Sequence, residues 1–331
     1  MWFERLVGFP EETPQQVRAS IALEGKTLRS LVNGRALECG QLEIPSLGEL
    51  RDRVQSSGYR PGKISVREEV ADVRRLHADA RNAGSLFQVA SQFNLLEMAG
   101  PSVTPEDGVG IYEHDHTQGP ACVIAAGAGT IYRNYFAVVN GQTGQSAADQ
   151  IDCLADIGAA LGNLEGRLWE MRNGYALASF DGLAEIAVRL RVSAEDELDE
   201  LRRSLRIGVQ WDTQVTLDDC RHLVSQAYCS ALPVSYSAHA SNLWAEFARL
   251  VLEAAYEATI CAAILNSKRS GNNRVYLTLL GEGAFGNETD WITGAIQRAL
   301  QLYRDADLDV VIVSYGASNP DVRRLVEQFA L

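Results

Sequence analysis

The 331-residue sequence has no dense run of lysine or arginine: 30 basic side chains stand against 43 acidic ones, a formal net charge of −13. Duplex nucleic acid is bound largely by neutralising phosphates with such a run, so that class of partner is excluded. The six cysteines (Cys39, Cys122, Cys153, Cys220, Cys229, Cys261) include no CxxC pair and follow no secretory leader. Neither a zinc ribbon nor a disulfide framework is expected, and a reducing, cytoplasmic compartment fits best. No apolar run reaches the ~18 residues that a membrane-spanning helix needs, so no membrane partner is expected. Histidine is limited to five residues, of which His77, His222 and His239 stand in no ligand motif. What is present is 46% hydrophobic residues, enough for one large core or two smaller ones.

Residues 1–62 read as an N-terminal extension or subdomain, with an amphipathic helix over 13–32, a strand over 41–44, and a helix over 47–54 opened by Pro45-Ser46. From residue 63 the pattern becomes strand ISVREEV, helix ADVRRLHADARNAG and strand SLFQVAS, the alternation of an α/β layered domain over 63–331. The middle is less regular: a loop-rich block at 92–119, a small-residue segment at 121–137, a helix over 147–161, a hairpin turning at Arg172-Asn173-Gly174 and an acidic helix AEDELDELRRSL. Trp211 in GVQWDTQV and the segment YCSALPVSYS read as buried strand. The end is clearer, with helix 243–265, strand 275–280, helix 289–304, the buried central strand DVVIVS within 308–315, and a last helix from Asn319.

Two stretches carry the chemistry. In YLTLLGEGAFGNETDW, 276–291, a strand empties into a glycine-rich turn before a helix. Gly281, Gly283 and Gly286 leave peptide N–H groups unshielded for a phosphate, and the helix N-terminus adds to the attraction. In 104–136, TPEDGVGIYEHDHTQGPACVIAAGAGTIYRNYF, the groups Asp107, Glu113, Asp115, Thr117, Gln118 and the Gly127/Gly129 pair lie close together. The bland reading is a solvated loop; two backbone cradles in one domain favour the two sides of a phosphate-containing ligand. Gly127 and Gly129 also suit close helix packing.

The strand ending in VASQFN, the acidic glycine-containing loop and the later GAFG turn resemble a macrodomain, and Gly283-Ala284-Phe285-Gly286 matches that family's diphosphate turn residue for residue. The run FNLLEM, TPEDGV, TQGPAC and GAGTIYRNYF is closer to the MavL-like, arginine-specific ADP-ribosyl hydrolase macrodomains, over roughly residues 80–320. The resemblance implies a three-layer α/β/α sandwich with a mixed central sheet and an N-terminal extension. It also implies ADP-ribose and an ADP-ribosylated protein as partners, hydrolysis at arginine, and no metal or redox cofactor. Asp107 and Asp115, eight positions apart, match the family's loop aspartates at the distal ribose, with Glu113 as a third acid. A carboxylate there stabilises an oxocarbenium ion or acts as a base. Gln92, Asn94, Thr117, Gln118, Gly127, Gly129, Gly281, Gly283, Ala284, Phe285, Gly286, Asn287 and Tyr315 are the ligand-binding candidates, Phe285 packing against the ribose–phosphate segment.

There are departures. Ser91-Gln92-Phe93-Asn94 stands in place of Asn-Ala-Ala-Asn, leaving Asn94 as the ribose-facing amide, and the triple-glycine run is absent. Glu282 inside the phosphate loop repels a diphosphate unless its side chain points to solvent. Three other readings fit parts of the sequence: a non-catalytic ADP-ribose reader; a metal-dependent nucleotide phosphoesterase using His114, Asp115 and His116 with Glu113 and Asp107; and a papain-like pair in Gln118 and Cys122, whose spacing is too short.

Overall fold

The structure, a computed structural model, describes residues 1–59 and 61–329; the last two positions of the expected 63–331 domain lie outside them. Its centre is a mixed sheet of seven strands: β1 (Gln41–Glu43), β2 (Ser65–Val70), β3 (Leu86–Ala90), β4 (Gly208–Gln214), β5 (Leu223–Cys229), β6 (Arg274–Leu277) and β7 (Asp309–Ser314), in the spatial order β1-β4-β5-β3-β6-β7-β2. β4 runs antiparallel to β1 and β5, while β5, β3, β6, β7 and β2 are mutually parallel. DVVIVS is an interior strand, as its apolar run predicts, and Trp211 and the YC of YCSALPVSYS lie buried on β4 and β5.

Alternation along β3 separates two helical layers. Phe87 stacks on His77 of α2 (Val73–Ala78) at 3.8 Å, whereas the next residue, Gln88, donates to Thr259 Oγ1 of the long helix Ser241–Ser270 at 2.8 Å. Successive side chains of a strand point to opposite faces, so those helices cover opposite faces of the sheet. With α2 go α3 (Gln118–Ala125) and α4 (Gly127–Tyr135); with the long helix, α5 (Ser241–Ser270), go α1 (Leu47–Ser57) and α6 (Thr289–Leu302). Buried Glu257 of α5 ties the second layer together, accepting from Arg51 Nε of α1 and Arg298 Nη1 of α6 at 2.6 Å each. The result is the expected three-layer α/β/α sandwich. Residues 1–62 contribute β1 and α1 to it, and Phe3, Val17, Leu28 and Leu37 join the same apolar core.

Several elements depart from the sequence expectation, each for a local reason. The helix expected over 13–32 ends at Ser20, and a hairpin follows, Ile21–Glu24 with Thr27–Ser30, because Gly25 adopts the positive φ of a tight turn. The helix of ADVRRLHADARNAG breaks at Asp79, whose side chain caps a new 3-10 turn at Arg81 N. The helix expected from 147 starts only at Ala155, since the Asp152 carboxylate holds Leu154 N in a turn. The strand expected to reach Leu280 stops at Leu277, where the Tyr256 hydroxyl takes over as partner, donating to Thr278 O at 2.7 Å and accepting from Leu280 N at 2.9 Å.

A line of buried polar groups runs under the α2–α4 face. His77 Nδ1 lies 2.8 Å from Val73 O, which can only accept, so Nδ1 carries the proton and Nε2 accepts from Gln226 Nε2 at 3.0 Å. Gln226 Oε1 accepts from Tyr228, which in turn accepts from Arg133 Nη1 at 2.5 Å. A second proton on His77 would face an N–H donor in a dry site, and burial lowers its pKa from 6.5 to about 4. A lowered folded pKa contributes stability that is present above pH 6.5 and is lost as pH falls through about 4. Denaturant titrations at pH 7 and pH 4 are expected to show about 3 kcal/mol less acid loss in His77→Gln than in wild type. Equal losses in the two would assign acid sensitivity to other groups.

Candidate active site

The five parallel strands end on one side, and a cavity of about 710 Å³ opens there, the edge of an open α/β sheet where ligands bind. Its floor is the chain following β3, β5, β6 and β7. Its walls come from the first turn of α2, the segment entering α3, the GEGAFG turn, and the aromatic rings of Tyr175, Tyr236 and Phe285.

The glycine turn folds on itself. Asn287 N donates to Gly281 O at 2.9 Å, Gly286 N to Gly283 O at 3.1 Å, and buried Asn287 Nδ2 to Leu232 O at 2.8 Å. Gly286 holds φ +68°, and a Cβ there would run into Ser235, so only glycine fits. The N–H groups of Gly283, Ala284 and Phe285 donate to no group among the described residues and lie along the cavity wall. Three adjacent amides without an acceptor have the donor content that an anion nest requires. Glu282 is exposed but also lines the cavity, its Oε1 accepting from Thr289 Oγ1 at 3.4 Å and Asn319 Nδ2 at 3.5 Å. Phe285 lines the cavity while its ring packs 5.3 Å from Tyr175 and 5.6 Å from Tyr236.

Beyond the nest, the cavity meets the segment that enters α3. Asp115 lines it and accepts from Thr117 N at 2.8 Å, turning the chain into the helix. Gln118 lines it too, but its amide is spent on β3: Oε1 accepts from Ala90 N and Nε2 donates to Gln88 O, each at 2.9 Å. Gln118 thus locks α3 to the strand. Its neighbour Cys122 is fully buried, with a thiol that burial holds well above its ordinary pKa, which is a small hydrophobe's environment and not a nucleophile's. Gln92 lines the cavity and accepts from Met98 N at 2.6 Å. Tyr315, 83% exposed, stands at the mouth beyond β7.

Other expected site residues stand elsewhere. Asp107 caps its own turn, accepting from Thr104 N at 2.8 Å, and Glu113 accepts from Trp2 N at 2.7 Å; neither lines the cavity. Asn94 does not face the cavity either, because the chain turns inward at Leu95 and its amide is taken by Gln150 Oε1 and Leu96 N. Gly127 and Gly129 serve close packing: a Cβ would meet Trp2 at 2.7 Å in the first case and Thr213 Oγ1 at 2.8 Å in the second. Gly286 and Asn287 shape the nest from behind. Among the described residues no three His, Cys, Asp or Glu side chains converge as a metal-ligand set.

Two acids of the wall had no role assigned from sequence. Asp72 caps α2 by accepting from Arg74 N at 2.8 Å. Glu97, in the apolar run Leu95-Leu96-Glu97-Met98, is 6% exposed, lines the cavity, and has an Oε1 without a hydrogen-bond partner among the described residues. The available signal was a lone acid inside FNLLEM with no basic residue at helical spacing.

No family model and no curated protein matches the sequence. Among solved structures, the chain is similar to poly(ADP-ribose) glycohydrolase from Deinococcus radiodurans in complex with ADP-ribose, at 10% identity and TM-score 0.46 over 88% of this chain and 95% of that one. It is also similar to poly(ADP-ribose) glycohydrolase from Thermomonospora curvata bound to the inhibitor ADP-HPD, at 13% identity and TM-score 0.44 over 95% of each chain.

Proposed function

We propose that the protein binds ADP-ribose in this cavity and hydrolyses the bond between its distal ribose and an arginine side chain. One observation carries the reading: a single cavity is lined both by Gly283, Ala284 and Phe285, whose amides are free, and by Asp115. Free amides suit a diphosphate. A carboxylate repels phosphate but stabilises a cation, so its place is at the reacting ribose, where positive charge develops as the anomeric carbon–nitrogen bond lengthens. In this reading Asp115 also takes a proton from the attacking water. Tyr315 and the Asp72 carboxylate, which also line the cavity, in this reading meet the face and edge of the purine. An ADP-ribosylated guanidinium is itself cationic, and an acidic wall favours it over a neutral ester.

The experiment is incubation with arginine-ADP-ribosylated protein, with and without chelator, following intact ADP-ribose. Release that persists in chelator is the expected result. Binding without release would make the protein a reader of the modification, and release abolished by chelator would make it a metal-dependent hydrolase.

A further inference from the structure

We propose that Glu97 is a catalytic residue, the acid that protonates the nitrogen leaving the distal ribose; this rests on the hydrolase reading above. Glu97 lines the same cavity as Asp115 and is nearly excluded from water, its Oε1 buried and without a partner among the described residues. An unpaired buried polar atom is costly, and its retention beside a cavity points to a partner that arrives with the ligand.

The surrounding chain is built to hold the group there. Leu95 takes a left-handed conformation, φ +65°, rare for a side chain branched beyond Cβ. The turn around it is fastened by Leu95 N to Gln92 O at 2.9 Å, Met98 N to Gln92 Oε1 at 2.6 Å, and buried Arg133 Nε to Leu95 O at 3.1 Å. Glu97 N donates to Tyr112 Oη at 3.3 Å. Across the gap Gly119 has no Cβ; one there would strike Glu97 Oε2.

Two of the acids lining the cavity sit in different media: Asp115 is partly exposed, Glu97 is not. Burial holds Glu97 well above the usual carboxylate range, with Arg133 of α4 opposing the shift and Asp115 adding to it. Tyr112, Cys122, Tyr175 and Tyr228, the other titratable groups around it, are also pushed up by burial and stay neutral. Glu97 is therefore the proton donor and Asp115 the acceptor, the division of labour that distinct environments impose on paired acids. In the reaction the carbon–nitrogen bond breaks with its electron pair going to the guanidine nitrogen, which takes the Glu97 proton and leaves as guanidinium. Water adds its oxygen to the anomeric carbon and passes a proton to Asp115, and exchange with solvent resets both carboxyls.

The test compares two substrates, arginine-ADP-ribosylated peptide and the p-nitrophenyl glycoside of ADP-ribose at the anomeric carbon of the distal ribose, whose nitrophenolate needs no proton to depart. Glu97→Gln is expected to slow the peptide reaction about 100-fold and the nitrophenyl reaction by less than about threefold, with ADP-ribose binding unchanged by calorimetry. In wild type, the peptide rate is expected to decline at alkaline pH as Glu97 ionises, a limb absent for the nitrophenyl substrate; this arm holds even if the variant fails to fold. Equal slowing of both substrates, or identical alkaline limbs, would overturn the assignment. Wild type inactive on both substrates would instead remove the hydrolase reading itself.

Discussion

Gly119→Ala is expected to cost up to about 3 kcal/mol of stability and to slow ADP-ribose release at least about 100-fold. A Cβ at this position would come inside 3.0 Å of both Ala90 O and Glu97 Oε2. The first of these is main chain at the end of β3, so no rotamer change relieves it, and either the strand or α3 must move. The junction has little slack, because the Gln118 side chain pairs with Ala90 N and Gln88 O as a neighbouring strand would. Displacing α3 carries Asp115 and Thr117 away from Glu97 and from the amide nest, and a shift of about an ångström in reacting groups is enough for a loss of that size. Gly283→Ala is the control: its Cβ meets nothing within 4 Å, and its stability is expected to stay within about 0.5 kcal/mol of wild type. Urea midpoints for the two variants, with release assayed in parallel, check the result. A Gly119→Ala protein as stable as Gly283→Ala and as active as wild type would show that the α3–β3 junction tolerates the shift.

The layered fold was legible where one signal dominated. The run DVVIVS has no polar face and had to be buried on both sides. The glycine turn was legible as a turn for a local reason: glycines between a strand and a helix bend the chain and leave amides without partners. Most of the misread elements are those in which a side chain does a backbone's work. Tyr256 ends β6 from 22 residues away in sequence, and Gln118 extends the pairing of β3 from 28 residues away. Such substitutions have no periodicity to detect.

Within the site, residue type picked out the turn at 281–285 and Asp115, which line the cavity, and missed Glu97. Glu97 differs from any surface glutamate only in its burial, which β3, α3, α4 and the hairpin carrying Tyr175 create together. Leu95 in the left-handed region directs the chain inward there, and nothing in the sequence FNLLEM marks that residue as unusual. Asn94 shows the converse. Its amide was expected at the ribose, yet the same turn occupies it with Gln150 and Leu96.

The two aspartates give the most direct test of the site. Asp115→Asn is expected to slow ADP-ribose release about 1000-fold, the cost of removing one group that stabilises developing charge, whereas Asp107→Asn is expected to stay close to wild type. Both side chains are local caps: Asp107 accepts from Thr104 N at 2.8 Å and Asp115 from Thr117 N at 2.8 Å. Asparagine keeps an acceptor oxygen for either bond, so each substitution removes charge and leaves the turn in place. The aspartates are thus matched in local chemistry and differ in position, Asp115 lining the cavity and Asp107 standing exposed outside it. Single-turnover release from arginine-ADP-ribosylated peptide, alongside ADP-ribose binding, separates chemistry from affinity. If the two variants lose activity equally while still binding, both carboxylates act at the ribose, as the family resemblance implies. The turn that carries Asp107 must then swing to the cavity when substrate binds, and a cavity assembled by the ligand would replace the preformed one described here.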